Sequence, residues 1–293
     1  MLNEIWIDKK HNPVLDDQLH NIFDKVSNVW IAGGFARRIY EYFYSTPEKA
    51  ITQYRIKNYI GRLYDTNVDV DFFYCSSDDL YATKDILNKA LNFKKGFYHS
   101  SPFADNYNFM LEIGSPHFLS SQRIQLINSF LFKDISACLD SFDFEVCKFA
   151  LNKVDGIYRI YYTDQARKDN RHRRLNISKV GSPFLPSRIQ KYSVKCKMSF
   201  MPNENNLSKI KDYCYKIVSS DWNINMSHVD NNQLFKQVRT LHNYKTLSKE
   251  ELSIMIGMFE DIVRKSTSIH DGSSYYYFEE SKIDWACKEL LNA

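Results

Sequence analysis

The sequence predicts an α+β protein: a mixed β-sheet with flanking helices over 1–150, a basic connector with strands over 151–204, and a mainly helical part over 205–293. Three observations predict it. Short apolar runs alternate with helix-period stretches through the first half. Lys and Arg crowd into one stretch, between Asp164 and Lys197. From about 205, apolar residues recur at helical spacing behind capping residues. At 293 residues the chain is long enough for a large core and a smaller second domain.

The elements follow in order. Trp6 to Val26 reads as a short lead-in and a helix. Val29-Trp30-Ile31-Ala32 is apolar without alternation, as a strand buried on both faces requires, and it runs into Gly33-Gly34. Phe35, Ile39, Tyr42 and Phe43 then recur at helical spacing, and Pro47 ends that helix. Val68 to Tyr74 predicts the next strand, 79–93 a helix, and 108–113 and 123–129 two further strands. A short helix near Lys133–Leu139 leads to 141–146, which fits either a strand or a helix start. Tyr158–Tyr162 predicts a strand. Ser248 with Glu251 forms a capping box ahead of the stripe Leu252, Met255, Phe259 and Ile262, and Ser281 with Asp284 opens a last helix.

Composition narrows the functional classes. No apolar run reaches the roughly 18 residues that span a bilayer, and the N-terminus lacks the pattern of a signal peptide. The expectation is a cytoplasmic protein with no membrane contact. The six cysteines are scattered without CxxC pairs, which predicts reduced thiols rather than a zinc site. Between Asp164 and Lys197 ten Lys/Arg face two Asp, a balance of +8 in a chain whose total is +4, so the rest is net acidic. Such a stretch fits RNA or another polyanion, and equally a solvated basic surface.

Two short motifs carry chemistry. A strand that runs into Gly33-Gly34 and then a helix lets phosphate oxygens approach backbone N–H groups at the helix N-terminus. In Val68-Asp69-Val70-Asp71-Phe72 the period of two puts the apolar residues on one face and both aspartates on the other, roughly 7 Å apart. Asp is depleted in strands, and two on one face repel unless a cation lies between them. Paired carboxylates are what two Mg²⁺ ions need for phosphoryl transfer. The plain alternatives are a tight turn and an exposed strand face. Arg188, Lys191 and Tyr192 are candidates for contact with a triphosphate or a nucleic-acid backbone, or for a basic surface strand. No HExxH, GxSxG or P-loop pattern competes.

Together, Ile31-Ala32-Gly33-Gly34-Phe35-Ala36-Arg37-Arg38 and Asp69-Val70-Asp71-Phe72-Phe73 resemble the DNA-polymerase-β-type nucleotidyltransferase superfamily, which includes CCA-adding enzymes and poly(A) polymerases. The match to Gly-Gly-x-x-Arg puts that family's arginine at Arg37, and Arg38 stands where the pattern continues with Asp. The chain is also similar to bacteriophage-encoded members, through Phe142-Asp143-Phe144 and Arg188-Ile189-Gln190-Lys191-Tyr192. The resemblance covers about the first 150 residues and implies a nucleotidyltransferase fold. It implies an NTP held by Gly33, Gly34, Arg37, Arg38, Arg188, Lys191 and Tyr192, and two Mg²⁺ ions held by Asp69, Asp71 and a third carboxylate. That third acid is Asp143, with Glu112 as rival. Gln125, in another suitable slot, cannot serve as an anionic ligand.

The implied activity is transfer of an NMP from an NTP to a hydroxyl, with RNA or tRNA as the leading acceptor. A protein or small-molecule acceptor fits the same residues. So does a non-catalytic nucleic-acid-binding or virion-associated protein on the same fold, that is, a pseudoenzyme.

Overall fold

A computed structural model describes residues 2–7, 17–44, 69–92, 96–100, 104–112, 119–180 and parts of 185–218. The expected helices at 248 and 281, residue Val68 and residue Lys191 lie outside the described residues. The chain forms two compact units. The first comprises Met1–Phe142 and Cys147–Arg167, and the second comprises Asp143–Val146 and Lys168–Ala293.

The first unit is an eight-stranded mixed sheet with helices, so the α+β expectation with a mixed sheet stands. Its strands are β1 (Leu2–Trp6), β2 (Val29–Ala32), β3 (Val70–Tyr74), β4 (Gly96–Ser100), β5 (Ala104–Glu112), β6 (Leu119–Ile127), β7 (Phe149–Val154) and β8 (Ile157–Thr163). They lie in the order β1-β8-β7-β2-β3-β6-β5-β4. Only β3 and β6 pair in parallel; the other neighbours are antiparallel. The boundary expected at 150 falls inside β7, and the sheet continues to Thr163.

Position in the sheet explains the strand sequences. β2 lies between β7 and β3 and is buried throughout, hence its unbroken apolar run. β8 alternates half-buried and buried residues beside the edge strand β1. One sheet face carries Ile31, Phe72, Ile124, Phe149 and Ile160 into the main core, shared with helices α1 (Asp17–Lys25), α2 (Gly34–Tyr44) and α3 (Ser77–Leu91). Helix α2 supplies Phe35, Ile39 and Tyr40, and α3 supplies Leu80 and Leu87. Ser76 caps α3, its hydroxyl accepting from the Asp79 N–H at 3.1 Å, and Asp78 and Asp79 complement the helix dipole. The opposite face holds a smaller cluster of Trp30, Ala32, Phe73 and Ala150, packed with Cys138 and Leu139 of helix α4 (Ile135–Asp140).

Strands β1, β4 and β7 were not foreseen. β4 is exposed along its whole length and β1 is a short edge, so neither shows a clear apolar period, while β7 follows the Phe-Asp-Phe segment without a turn signal. The 141–146 segment forms no full strand and no α-helix. Phe144 makes a single bridge with Ile177, and Glu145–Cys147 is one 3-10 turn.

Helix α5 (Asp164–His172) opens the basic stretch with Arg167, Lys168 and Arg171. In the second unit, β9 (Arg174–Leu175) pairs in parallel with β10 (Ser199–Phe200), and helix α6 (Glu204–Val218) follows. Asparagines fasten them. Asn203 caps α6 by accepting from the Asn206 N–H at 2.9 Å, and Asn206 accepts from the Ile177 N–H at 2.7 Å and donates to the Leu175 carbonyl at 3.2 Å.

Candidate functional site

The site is built where β2 ends. Gly33 has φ +86°, and its N–H donates to the Phe149 carbonyl at 2.8 Å. A Cβ there would lie 3.3 Å from Phe142 Cε1, so backbone and space both favour glycine. Helix α2 starts at once, with the Arg37 N–H on the Gly33 carbonyl at 3.0 Å. β3 runs antiparallel to β2 with Ala32 opposite Asp71. Gly33, Gly34, Asp69 and Asp71 therefore meet at one end of the sheet, although 35 or more positions separate the two pairs in sequence.

Register extends this end into a polar row. Ala32, Asp71, Gln125 and Asn106 lie opposite one another across β2, β3, β6 and β5, so their side chains share a face. The Gln125 amide donates to Asn106 Oδ1 at 2.5 Å. Arg123 Nη1 lies 3.6 Å from Asp69 Oδ1, with both side chains partly exposed. This quadrant, exposed at Asp69 and Arg123 and enclosed at Asn106, offers carboxylate acceptors beside amide and guanidinium donors, chemistry suited to polar recognition. Sequence reasoning missed Asn106 and Arg123. Their signal is register, which no local motif carries.

Arg37, Arg38 and Glu112 lie in the first unit outside this polar row. Arg37 is buried and paired with Glu41 Oε1 at 2.9 Å, one helical turn on, and Arg38 is partly buried on the same helix. Glu112 ends β5, six residues beyond Asn106 and so about 20 Å along the strand. The slot beside Asp71 on β6 holds Gln125, an amide.

Asp143, Arg188 and Tyr192 come together within the second unit. Arg188 Nη1 sits 3.0 Å from Asp143 Oδ2, and the Tyr192 ring meets Phe144 edge-on at 5.3 Å. The Asp143 carbonyl accepts from the Ser178 and Lys179 N–H groups at 2.7 and 3.2 Å. The two motifs of that expectation thus meet each other. Burial raises the Asp143 carboxyl above its ordinary value, against the opposing pull of Arg188 and Lys179.

Among the described residues, no group of three or more His, Cys, Asp or Glu side chains is arranged to hold a metal ion. Among them also, no helix is long and apolar enough to cross a membrane.

A family model described as Gad2, Gabija anti-defense 2 family protein, matches residues 6–173. No curated protein matches the chain. The family match overturns the expectation of a nucleotidyltransferase-superfamily member transferring NMP to RNA. Gly-Gly and Asp-x-Asp are short, and strand-turn-helix geometry with a nearby acidic pair occurs outside that superfamily. With that family goes the ground on which an NTP and two Mg²⁺ ions were expected.

Proposed function

We propose, from the premise that the chain belongs to the Gabija anti-defense 2 family, that it is a bacteriophage protein that counteracts the Gabija defence of the host. The observation that carries this reading is the extent of the match. Residues 6–173 take in nearly the whole eight-stranded sheet, including the polar row and the Gly33 turn. The matched segment is thus a folded unit rather than a stray motif. We read the quadrant of Asp69, Asp71, Arg123, Gln125 and Asn106 as its working surface, because Asp69 and Arg123 reach solvent at the end of a polar row that continues inward through Asp71, Gln125 and the buried Asn106. Its action is binding, which needs no third carboxylate.

The test is phage plating on cells that carry Gabija, with and without this chain. Expression should restore plaques, and the Asp69→Ala/Asp71→Ala variant should restore fewer at equal protein level. Unchanged plating with the wild-type chain would remove the reading. Titrating expression separates binding from catalysis, since a binder must match its target in number and an enzyme need not.

A second reading has its own observation. Arg171, His172, Arg173 and Arg174 are exposed in succession, as a polyanion contact requires. RNA binding that persists in an Arg171→Ala/Arg173→Ala/Arg174→Ala variant, with an unchanged salt slope, would exclude this stretch as the contact.

A further inference from the structure

The loop after β6 leaves two large apolar side chains in water. Phe130 is 62% exposed and Leu131 47% exposed. Single exposed apolar residues are ordinary, but an adjacent pair on a fixed base is not. The base is firm. The Phe132 N–H donates to the Tyr74 carbonyl at 2.9 Å, and the Phe132 ring packs on Phe73 at 6.0 Å. Phe130 in turn lies on Phe132 at 6.4 Å. Two residues on, Asp134 caps α4 by accepting from the Ala137 N–H at 2.8 Å. The tip is therefore mounted on a bonded and packed base, which lowers the ordering cost of any contact it makes.

Its rim is acidic. The chain segment 132–134 runs beside the end of β3, where α3 begins with Asp78 and Asp79. The Cys75 thiol between them is pushed up first by burial and then by the charges of Asp79 and Asp134, which puts both acids around it. Lys133 is the counter-charge at the loop, 3.8 Å from Asp134. Along the exposed face of α3, Tyr81 is flanked by Asp78 and Asp85 and is 62% exposed. Acids with exposed aromatics repel a phosphate backbone and match a cationic protein surface.

We infer that the Phe130–Leu131 tip, with Asp134 and Asp79 at its base and Asp78 beside Asp79 in the first turn of α3, is a docking surface for a protein partner that offers an apolar recess in a basic surface. The inference rests on the anti-defence reading for the partner's identity, a component of the Gabija machinery. The apolar pair supplies the desolvated centre of the contact, and the acids steer association and exclude nucleic acid.

The experiment measures binding of the full chain to purified Gabija machinery by calorimetry, alongside plating of phage on Gabija-carrying cells. The wild type should bind, and Phe130→Ser/Leu131→Ser should bind at least about tenfold more weakly with an unchanged melting temperature, since both residues already face water. Asp78→Lys, which spares the helix caps, should weaken binding in low salt and lose that difference in high salt. Wild-type binding by all variants overturns the docking surface. Plaque restoration without binding also overturns it and leaves the anti-defence reading intact. Failure to restore plaques removes that reading, and if binding is absent too, both fall.

Discussion

Asp71 and Phe73 are two residues apart on one strand and project from the same sheet face, yet they belong to different worlds. Phe73 is covered, packed against Phe132 and Phe142 and grouped with Trp30, Ala32, Ala150 and Leu139 under α4. Asp71 lies outside that apolar cluster, half-buried in a polar row with Gln125 and Asn106. The edge of the apolar lid runs between them. The lesson is that an acidic pair on a strand takes its meaning from what lies on the neighbouring strands. Here the neighbours are amides and an arginine, and they make the quadrant a polar surface.

The comparison breaks first at Phe73. Phe73→Ala should cost about 3–5 kcal/mol, since it empties a ring-sized space beneath α4. Urea unfolding measures it. A cost near zero would mean that the lid does not close on this face and that the open and covered halves are one. Gly33→Ala comes next, at about 1–2 kcal/mol for the left-handed backbone, with contact against Phe142 added. The same denaturant series reads it.

A buried acid sharpens the contrast with the open ones. The Asp143 carboxyl is raised by burial above its ordinary value of 3.8, because Arg188 and Lys179 offset the desolvation only in part. The sign follows. Below the ordinary value the group is protonated folded and unfolded, and contributes no pH dependence. Between the ordinary value and the raised folded value the unfolded chain gives up its proton first, so stability falls as pH rises through that window. Above it the wild type carries a buried charge at a constant cost. Asp143→Asn should therefore match the wild type in acid and be the more stable of the two at neutral pH. Thermal melts at a series of pH values decide, and a variant less stable at neutral pH would show the ion pair with Arg188 to outweigh burial.

Much of the first unit was legible in the sequence, and for local reasons. Val29–Ala32 is a buried strand because its four apolar residues allow no exposed face, and α2 was expected from Phe35, Ile39, Tyr42 and Phe43 at helical spacing, of which Phe35 and Ile39 enter the core. The convergence of Gly33 with Asp71 was legible too, since strand ends and turns fix it. What was not legible depends on pairing. Nothing near Asn106 or Arg123 in sequence says that β5 and β6 will carry them to Asp71 and Asp69. Nor does Phe142-Asp143-Phe144 say that Phe142 will pack with Phe73 in the first unit while Asp143 and Phe144 join the second. The family was misread for the same reason, because motifs of two to five residues specify a local shape that many families share.

The smallest expected effect is the one that most directly tests the open quadrant. In Asp69→Ala/Asp71→Ala, the ion pair of Asp69 with Arg123 is lost, and a partly exposed pair at 3.6 Å is worth about 0–1 kcal/mol. Against this, the variant removes like charges two residues apart on one strand face, a repulsion of similar size. Alanine is a poorer strand former than the β-branched residues but no worse than Asp, so backbone preference adds little. The contributions cancel to within about 0.5 kcal/mol, and the urea midpoint should stay at the wild-type position. A shift of the size expected for Phe73→Ala would mean that the aspartates hold the fold together, and the quadrant would lose its claim to be a working surface. An unmoved midpoint together with a loss of plaque restoration would separate function from stability at these two residues.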